Sequence, residues 1–216
     1  MTASSGELHL QDRYGTQRRA GSFYDKQVLG HLNEEMQRFV GRMEMVFIAT
    51  ADATGEADCS FRAGPAGFVR VLDDTTLAYP ELRGNGVMAS LGNVVENGHI
   101  GMLFIDFYES TIGLHVNGGA QIVEVADMLG SERWRVALDG PCHAGTQPER
   151  WVVVDVHEAY IHCSKHVPLV MKLDKAIAWG TDDAVRKGGD YFGVGSQSGA
   201  TSAPVPGGAR EVGRVG

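Results

Sequence analysis

The residues from Leu77 to Asn97, LAYPELRGNGVMASLGNVVEN, gather the most chemistry in this 216-residue chain. An apolar run ends at Leu77, Ala78 and Tyr79, and Pro80 breaks it. Arg83, Gly84, Asn85 and Gly86 follow as a loop before a helical segment carrying Ser90 and Asn93. Glycine lets backbone approach a ligand without a Cβ in the way. A helix N-terminus offers free N–H groups to an anion, and Arg83 adds a planar bidentate donor. These are the parts of a phosphate cradle. They are equally the parts of a surface loop and helix cap with a solvated arginine, because no strict phosphate-loop signature is present.

A second set lies upstream in Asp58-Cys59-Ser60-Phe61-Arg62. Alternation in a strand sends Asp58, Ser60 and Arg62 one way and Cys59 and Phe61 the other. The Cys59/Phe61 face reads as a core face. The polar face reads, from alternation alone, as solvated, unless the nearby Tyr79–Asn85 loop turns it into a pocket. Nothing beside Cys59 or Cys142 in sequence lowers a thiol pKa, so both read as structural. A third set, Ala159-Tyr-Ile-His162-Cys163-Ser164-Lys165-His166, ends the last strand. Two histidines and a cysteine this close lack a distant fourth ligand, so no metal site is expected. Lys165 either supplies charge to an anionic ligand or faces water. There is no GxSxG or HExxH motif. Asn117-Gly118 reads as a bulge that curves the sheet.

These residues need elements to position them. Phe23 to Val40 carries apolar residues at helical spacing, with Glu34 and Glu35 on the other face. Dense apolar or alternating runs then predict strands at 45–51, 58–62, 68–72, 75–79, 99–107, 113–125 and 151–161, mostly joined by hairpin turns. A short helix is expected at Trp134–Leu138. This order predicts a mainly β protein with flanking helices: an antiparallel barrel with no βαβ alternation. Residues 1–22 read as a polar arm and 23–186 as the domain. Residues 187–216, rich in Gly, Ala, Ser and Pro, read as a disordered tail.

Composition narrows the function classes. Hydrophobic residues make up 43% of the chain, enough for an ample core, and the net charge is −8. That balance argues against nucleic-acid binding through bulk positive potential, so an anionic ligand needs locally gathered arginines. The apolar runs are too short to span a bilayer, and the N-terminus has no leader pattern, so a cytoplasmic location is expected. Three cysteines without CxxC spacing predict free thiols.

In this order and spacing, MVFIATAD, DCSFRAGPAGFVRV, LAYPELRGNG, SLGNVVENGHIGMLFIDF, LHVNGGAQIV and EAYIHCSKH resemble the flavin-nucleotide-binding split-barrel proteins related to pyridoxamine 5′-phosphate oxidase. The resemblance covers roughly residues 25 to 175. It implies a six-stranded antiparallel Greek-key split barrel that forms a homodimer, with flavin mononucleotide (FMN) at the subunit interface. It further implies that Arg62, Tyr79, Pro80, Arg83, Gly84 and Asn85 hold the phosphate and flank the ring. Ser60 and Val69 lie along the ring, with Asp58 on the same strand face. Cys163, Ser164 and Lys165 close the site, from either chain. The Arg-Leu run with its Pro and second Arg that binds substrate phosphate in the true oxidases is missing, as is their Ser-Arg-Lys loop, so vitamin B6 oxidation is not expected. The implied activity is an FMN-dependent oxidoreductase acting on a small molecule. The alternatives are a non-turnover flavin, deazaflavin or haem carrier, in which His162 or His166 would serve haem, and a barrel that has lost its cofactor and acts as an interaction domain.

Overall fold

The structure, a computed structural model, describes residues 3–135 and 147–197. Two helices come first, α1 (Ser5–Tyr14) and α2 (Gln17–Gln27). Ser4 and Glu7 form a reciprocal capping box at the start of α1, and Gly15 closes it in the left-handed region at φ 63°. Tyr24 of α2 donates to Glu7 and accepts from Gln11, tying the two helices together. The expected polar arm is thus a helical hairpin, and neither helix has a buried residue.

The single helix expected from Phe23 to Val40 is broken. Val28–Leu29 forms a two-residue strand, β1, paired with Tyr160 and Ala159, and Asn33 then caps α3 (Glu34–Arg42). A helical period survives a local break, which is why spacing alone could not place one. Leu32, fully buried, fixes the turn by donating its N–H to Asp74 O at 2.7 Å.

The strands follow as β2 (Met45–Ala51), β3 (Ala57–Ala63), β4 (Arg70–Asp73) and β5 (Thr76–Glu81). Helix α4 (Ala89–Glu96) precedes β6 (His99–Ile105) and β7 (Gly113–Glu124). Short helices α5 (Val125–Gly130) and α6 (Glu132–Arg135) lead towards β8 (Arg150–His162). The sheet order is β3-β2-β6-β7-β8-β5-β4, antiparallel throughout, with β1 beside β8. This is the mainly β, split-barrel architecture expected, with eight strands among the described residues where six were implied. The register of β7 on β8 shifts between Asn117 and Gly118, the expected bulge.

One face of the sheet encloses the main core. Val46, Ile48, Met102, Phe104, Val116, Val152 and Val154 pack there against Val40 of α3 and Leu91 and Val94 of α4. On the opposite face, α5 and α6 lay Met128 and Trp134 over Trp151, Val123 and Val153 in a second cluster. That cover extends over the β5, β7 and β8 end only.

Residues 181–197 form a separate unit of turns with a short helix, α7 (Val194–Gln197). The Asp183 and Asp190 carboxylates accept backbone N–H groups within it. The remainder of the expected disordered tail, residues 136–138 of the expected short helix, and Cys142 lie outside the described residues. Among the described residues no helix is long and apolar enough to cross a membrane.

Candidate functional site

The two margins of the sheet, β3 and the β4–β5 pair, curl towards each other. β4 covers β5 only from Thr76 to Ala78, leaving the flank of Tyr79–Glu81 without a strand neighbour among the described residues. Arg62 of β3 reaches into that space and donates from Nε to Glu81 Oε1 at 2.8 Å. The pair is largely shielded, with side chains 23% and 9% exposed. Arg62 Nη1 also donates to Phe61 O at 3.2 Å. Two residues beyond Glu81 stands Arg83, on an exposed loop that includes Gly84, Asn85 and Gly86. A two-residue step is at most about 7 Å of chain, so the two arginines share one side of the molecule.

The loop is open. A Cβ at Gly84 or Gly86 would meet nothing within 4 Å, and Gly86 takes φ +82°. Asn85 Oδ1 accepts the Val87 N–H at 3.0 Å, turning the chain into α4. Met88 enters α4 in the left-handed region at φ 56°, and no side chain caps that helix. Beside its first turn, the Ser60 and Ser90 hydroxyls both contact Asp58 Oδ2 at 3.0 Å and lie 2.6 Å from each other. Asn93 donates to Thr50 Oγ1 at 3.0 Å, locking α4 to β2.

The polar face of β3 therefore points inward, on the side where Val46, Ile48 and Thr50 are buried, and its groups are partnered. Cys59 and Phe61, expected in the core, stand on the outer face, where Phe61 is 50% exposed. Period-2 alternation separates the two faces but does not say which is inside. Here Glu81 and Ser90 decide it, by satisfying Arg62, Ser60 and Asp58.

Other candidates are placed differently. Val69 and Tyr79 are 1% exposed within the main core, and Pro80 is buried, so these three shape the wall from behind. Burial, with the Glu81 carboxylate adding to it, raises the Tyr79 phenol far above its ordinary value, so it stays neutral. Cys163, Ser164 and Lys165 are exposed on the turn after β8, at the opposite end of that strand from Arg150, the residue paired with Glu81. Thirteen residues at about 3.3 Å each put roughly 40 Å of strand between the two ends. One chain does not bring that turn to Arg62. Next to it, His115 Nε2 and His162 Nδ1 lie 3.0 Å apart, and His115 stacks on Tyr160. Burial first, and then His162, lowers the His115 pKa. No group of three metal-binding side chains occurs among the described residues.

Sequence reasoning passed over Glu81 and Thr50. The available signal was an acidic residue closing an otherwise buried strand, where a carboxylate needs a cation or several donors. A separate open cavity of about 550 Å³ lies between the end of α3, β2, the end of β6 and the segment Leu169–Lys172. Asp106 on its wall accepts from Tyr108, Glu109 and Ser110 N–H groups and from Arg42.

Comparison with curated proteins gives no match. Among solved structures the chain is similar to HupZ from Group A Streptococcus, at 25% identity over 58% of this chain and 89% of that one, TM-score 0.41. It is similar to an FMN-binding protein from Syntrophomonas wolfei subsp. wolfei, at 13% identity over 77% and 99%, TM-score 0.41. An F420 reductase shares 17% identity over 61% and 98%, TM-score 0.39. The family model described as pyridoxamine 5′-phosphate oxidase matches residues 32–163, from the entry to α3 through the end of β8. That span takes in more than half of the chain and every strand around the Arg62–Glu81 contact, and the chain belongs to the pyridoxamine 5′-phosphate oxidase family.

Proposed function

We propose that this protein is an FMN-dependent oxidoreductase that holds the flavin phosphate between Arg62 and the Arg83–Asn85 loop, in a cytoplasmic homodimer with the cofactor at the subunit interface. The observation that carries this reading is the Arg62–Glu81 contact. It fixes a guanidinium on one sheet margin beside the loop that bears the second. The donor set suits a phosphate. Glu81 engages one of the five N–H donors of Arg62 and sets the plane of the group, leaving others to an anion. Arg83 supplies a second positive charge at an open, glycine-bearing loop. In a chain of net charge −8 such local gathering is what an anionic ligand requires.

The flavin, when bound, supplies the electron-transfer chemistry. The chain's own residues bind and orient. Arg62 and Arg83 would neutralise the phosphate, the Asp58–Ser60–Ser90 cluster would line the inner wall with hydroxyls, and Tyr79 and Val69 would keep that wall dry from behind. The Cys163–Lys165 turn would have to come from the second subunit.

The test is the absorption spectrum of freshly purified protein, with thermal stability measured with and without FMN. A yellow preparation, or one whose Tm rises with FMN and whose Arg62→Ala variant loses that rise, supports the reading. A colourless protein indifferent to FMN sinks it. A Soret band, or preferential stabilisation by a deazaflavin, would replace FMN with one of the other two cofactors. Bound flavin without oxidation of a reduced nicotinamide in the presence of an acceptor would make the protein a carrier.

A further inference from the structure

The open cavity between α3, β2 and β6 is lined by none of the residues assigned to the flavin, and its wall is chemically uneven. The apolar side comes from Met43 and Met45 at the entry to β2, Ile105 at the end of β6, and Leu169 and Met171 of the segment after β8. Methionine side chains are flexible and polarisable, so three on one wall fit bodies of differing shape. At about 550 Å³ the space is of the size that receives a small organic molecule.

The charged side carries three carboxylates, Glu44, Asp106 and Glu109, against two cations, Arg42 and Lys172. Asp106 is engaged by the backbone N–H groups after it and by Arg42 at 3.3 Å. Lys172 Nζ donates to Glu44. Glu109 is exposed, and among the described residues no donor reaches its carboxylate. The wall thus keeps one uncompensated negative charge, in a chain already at −8. Lys172 shows what such a wall accepts: an ammonium on an apolar stem. Its hydrogen bond to Glu44 raises its pKa against the opposing effect of burial, and Tyr108 and Asp174 add to the rise. The segment that carries it is tied down by the Val170 N–H to Phe107 O at 2.8 Å and by that ion pair, whose side chains are 56% and 36% exposed. Ion pairs this exposed are weak, and Leu169 and Met171 remain largely in solvent, so the segment can yield.

We infer that this cavity binds a small organic ammonium, an apolar body bearing one positive charge, and that Lys172 is its built-in competitor. The site stands whether or not a flavin binds. An anionic ligand would face the surplus carboxylate, and a neutral one would leave it unanswered. An ammonium answers Glu109, lays its body on the methionines and meets the Tyr108 ring with its charge.

NMR of the full chain with isotope-labelled methionine methyls tests this. Hexylammonium should shift the Met43, Met45 and Met171 methyls saturably and leave those of Met102 and Met128, in the two cores, unmoved. Hexanol should bind several-fold more weakly, and hexanoate more weakly still. Glu109→Gln should narrow the gap between hexylammonium and hexanol. Lys172→Met keeps the stem and removes the competing charge, so it should tighten hexylammonium several-fold, a gain that a damaged fold would not give. Equal affinity for the three probes, or unmoved methyls at millimolar hexylammonium, overturns the proposal. So does Lys172→Met binding hexylammonium no tighter than the wild type.

Discussion

Arg62 and Glu81 lie 19 positions apart in sequence and on opposite margins of the sheet, and they form an ion pair at 2.8 Å. Removing one member leaves the other shielded and unpaired, which costs more than the pair itself is worth. Arg62→Ala is therefore expected to lower stability by about 2–3 kcal/mol, and Arg62→Ala/Glu81→Ala to lose less than the sum of the single changes. Urea unfolding of the four proteins reads this directly; additive losses would mean that the pair is not coupled. At Asp106, burial pushes the carboxyl up, but hydrogen bonds from Ser110, Tyr108 and Glu109 outweigh it and hold the pKa down at about 2. A folded pKa below the unfolded value of 3.8 means stability that is present above pH ~4 and lost as pH falls towards 2. The stake is about 2 kcal/mol. Asp106→Asn should destabilise the protein at neutral pH and flatten the acid limb of the stability curve between those values, as followed by thermal melts across pH.

At the scale of elements, the β7 bulge is the position with least tolerance. A Cβ on Gly118 would sit 2.1 Å from Asp155 O and 3.0 Å from its carbonyl carbon, and backbone cannot yield as a side-chain tip can. Gly118→Ala is expected to cost at least about 3 kcal/mol or to prevent folding. Gly101→Ala, whose nearest neighbour is the Asn117 side-chain oxygen at 3.2 Å, should cost much less, and thermal melts of the two variants rank them. The strands, this bulge included, were legible because alternation, apolar density and turn residues are local signals. The helices at the front were not. Val28–Leu29 leaves the helical path to pair with β8, about 130 residues later in the chain, and no window of sequence contains that contact. The same limit hid the orientation of β3, since Glu81 and Ser90 settle which face is inside.

For the whole molecule, the arginines and their loop could be picked out from residue type and spacing, and the architecture from the order of the motifs. What stayed hidden was distance. The Lys165 turn belongs to the far end of β8, so any part it takes in the site depends on a second chain. If the proposed flavin site forms between two chains, Lys165→Ala should weaken FMN binding several-fold and leave the fold intact, measured by FMN titration; an unchanged affinity would remove that turn from the site. Phosphate capture by two guanidiniums should weaken as ionic strength rises from low values towards 0.5 M.

Among the described residues the sheet is a ring that does not close by backbone. Its margins meet through the Arg62–Glu81 pair, while α4 is riveted by Ser90 to β3 and by Asn93 to β2. A seam held by side chains can breathe while the β7–β8 ladder stays shut. Deuterium should thus enter the amides of β3 well before those of β7, and an anion gripped from both margins would slow that uptake as a clasp would. Ligand entry and local unfolding would then be one motion viewed from two sides.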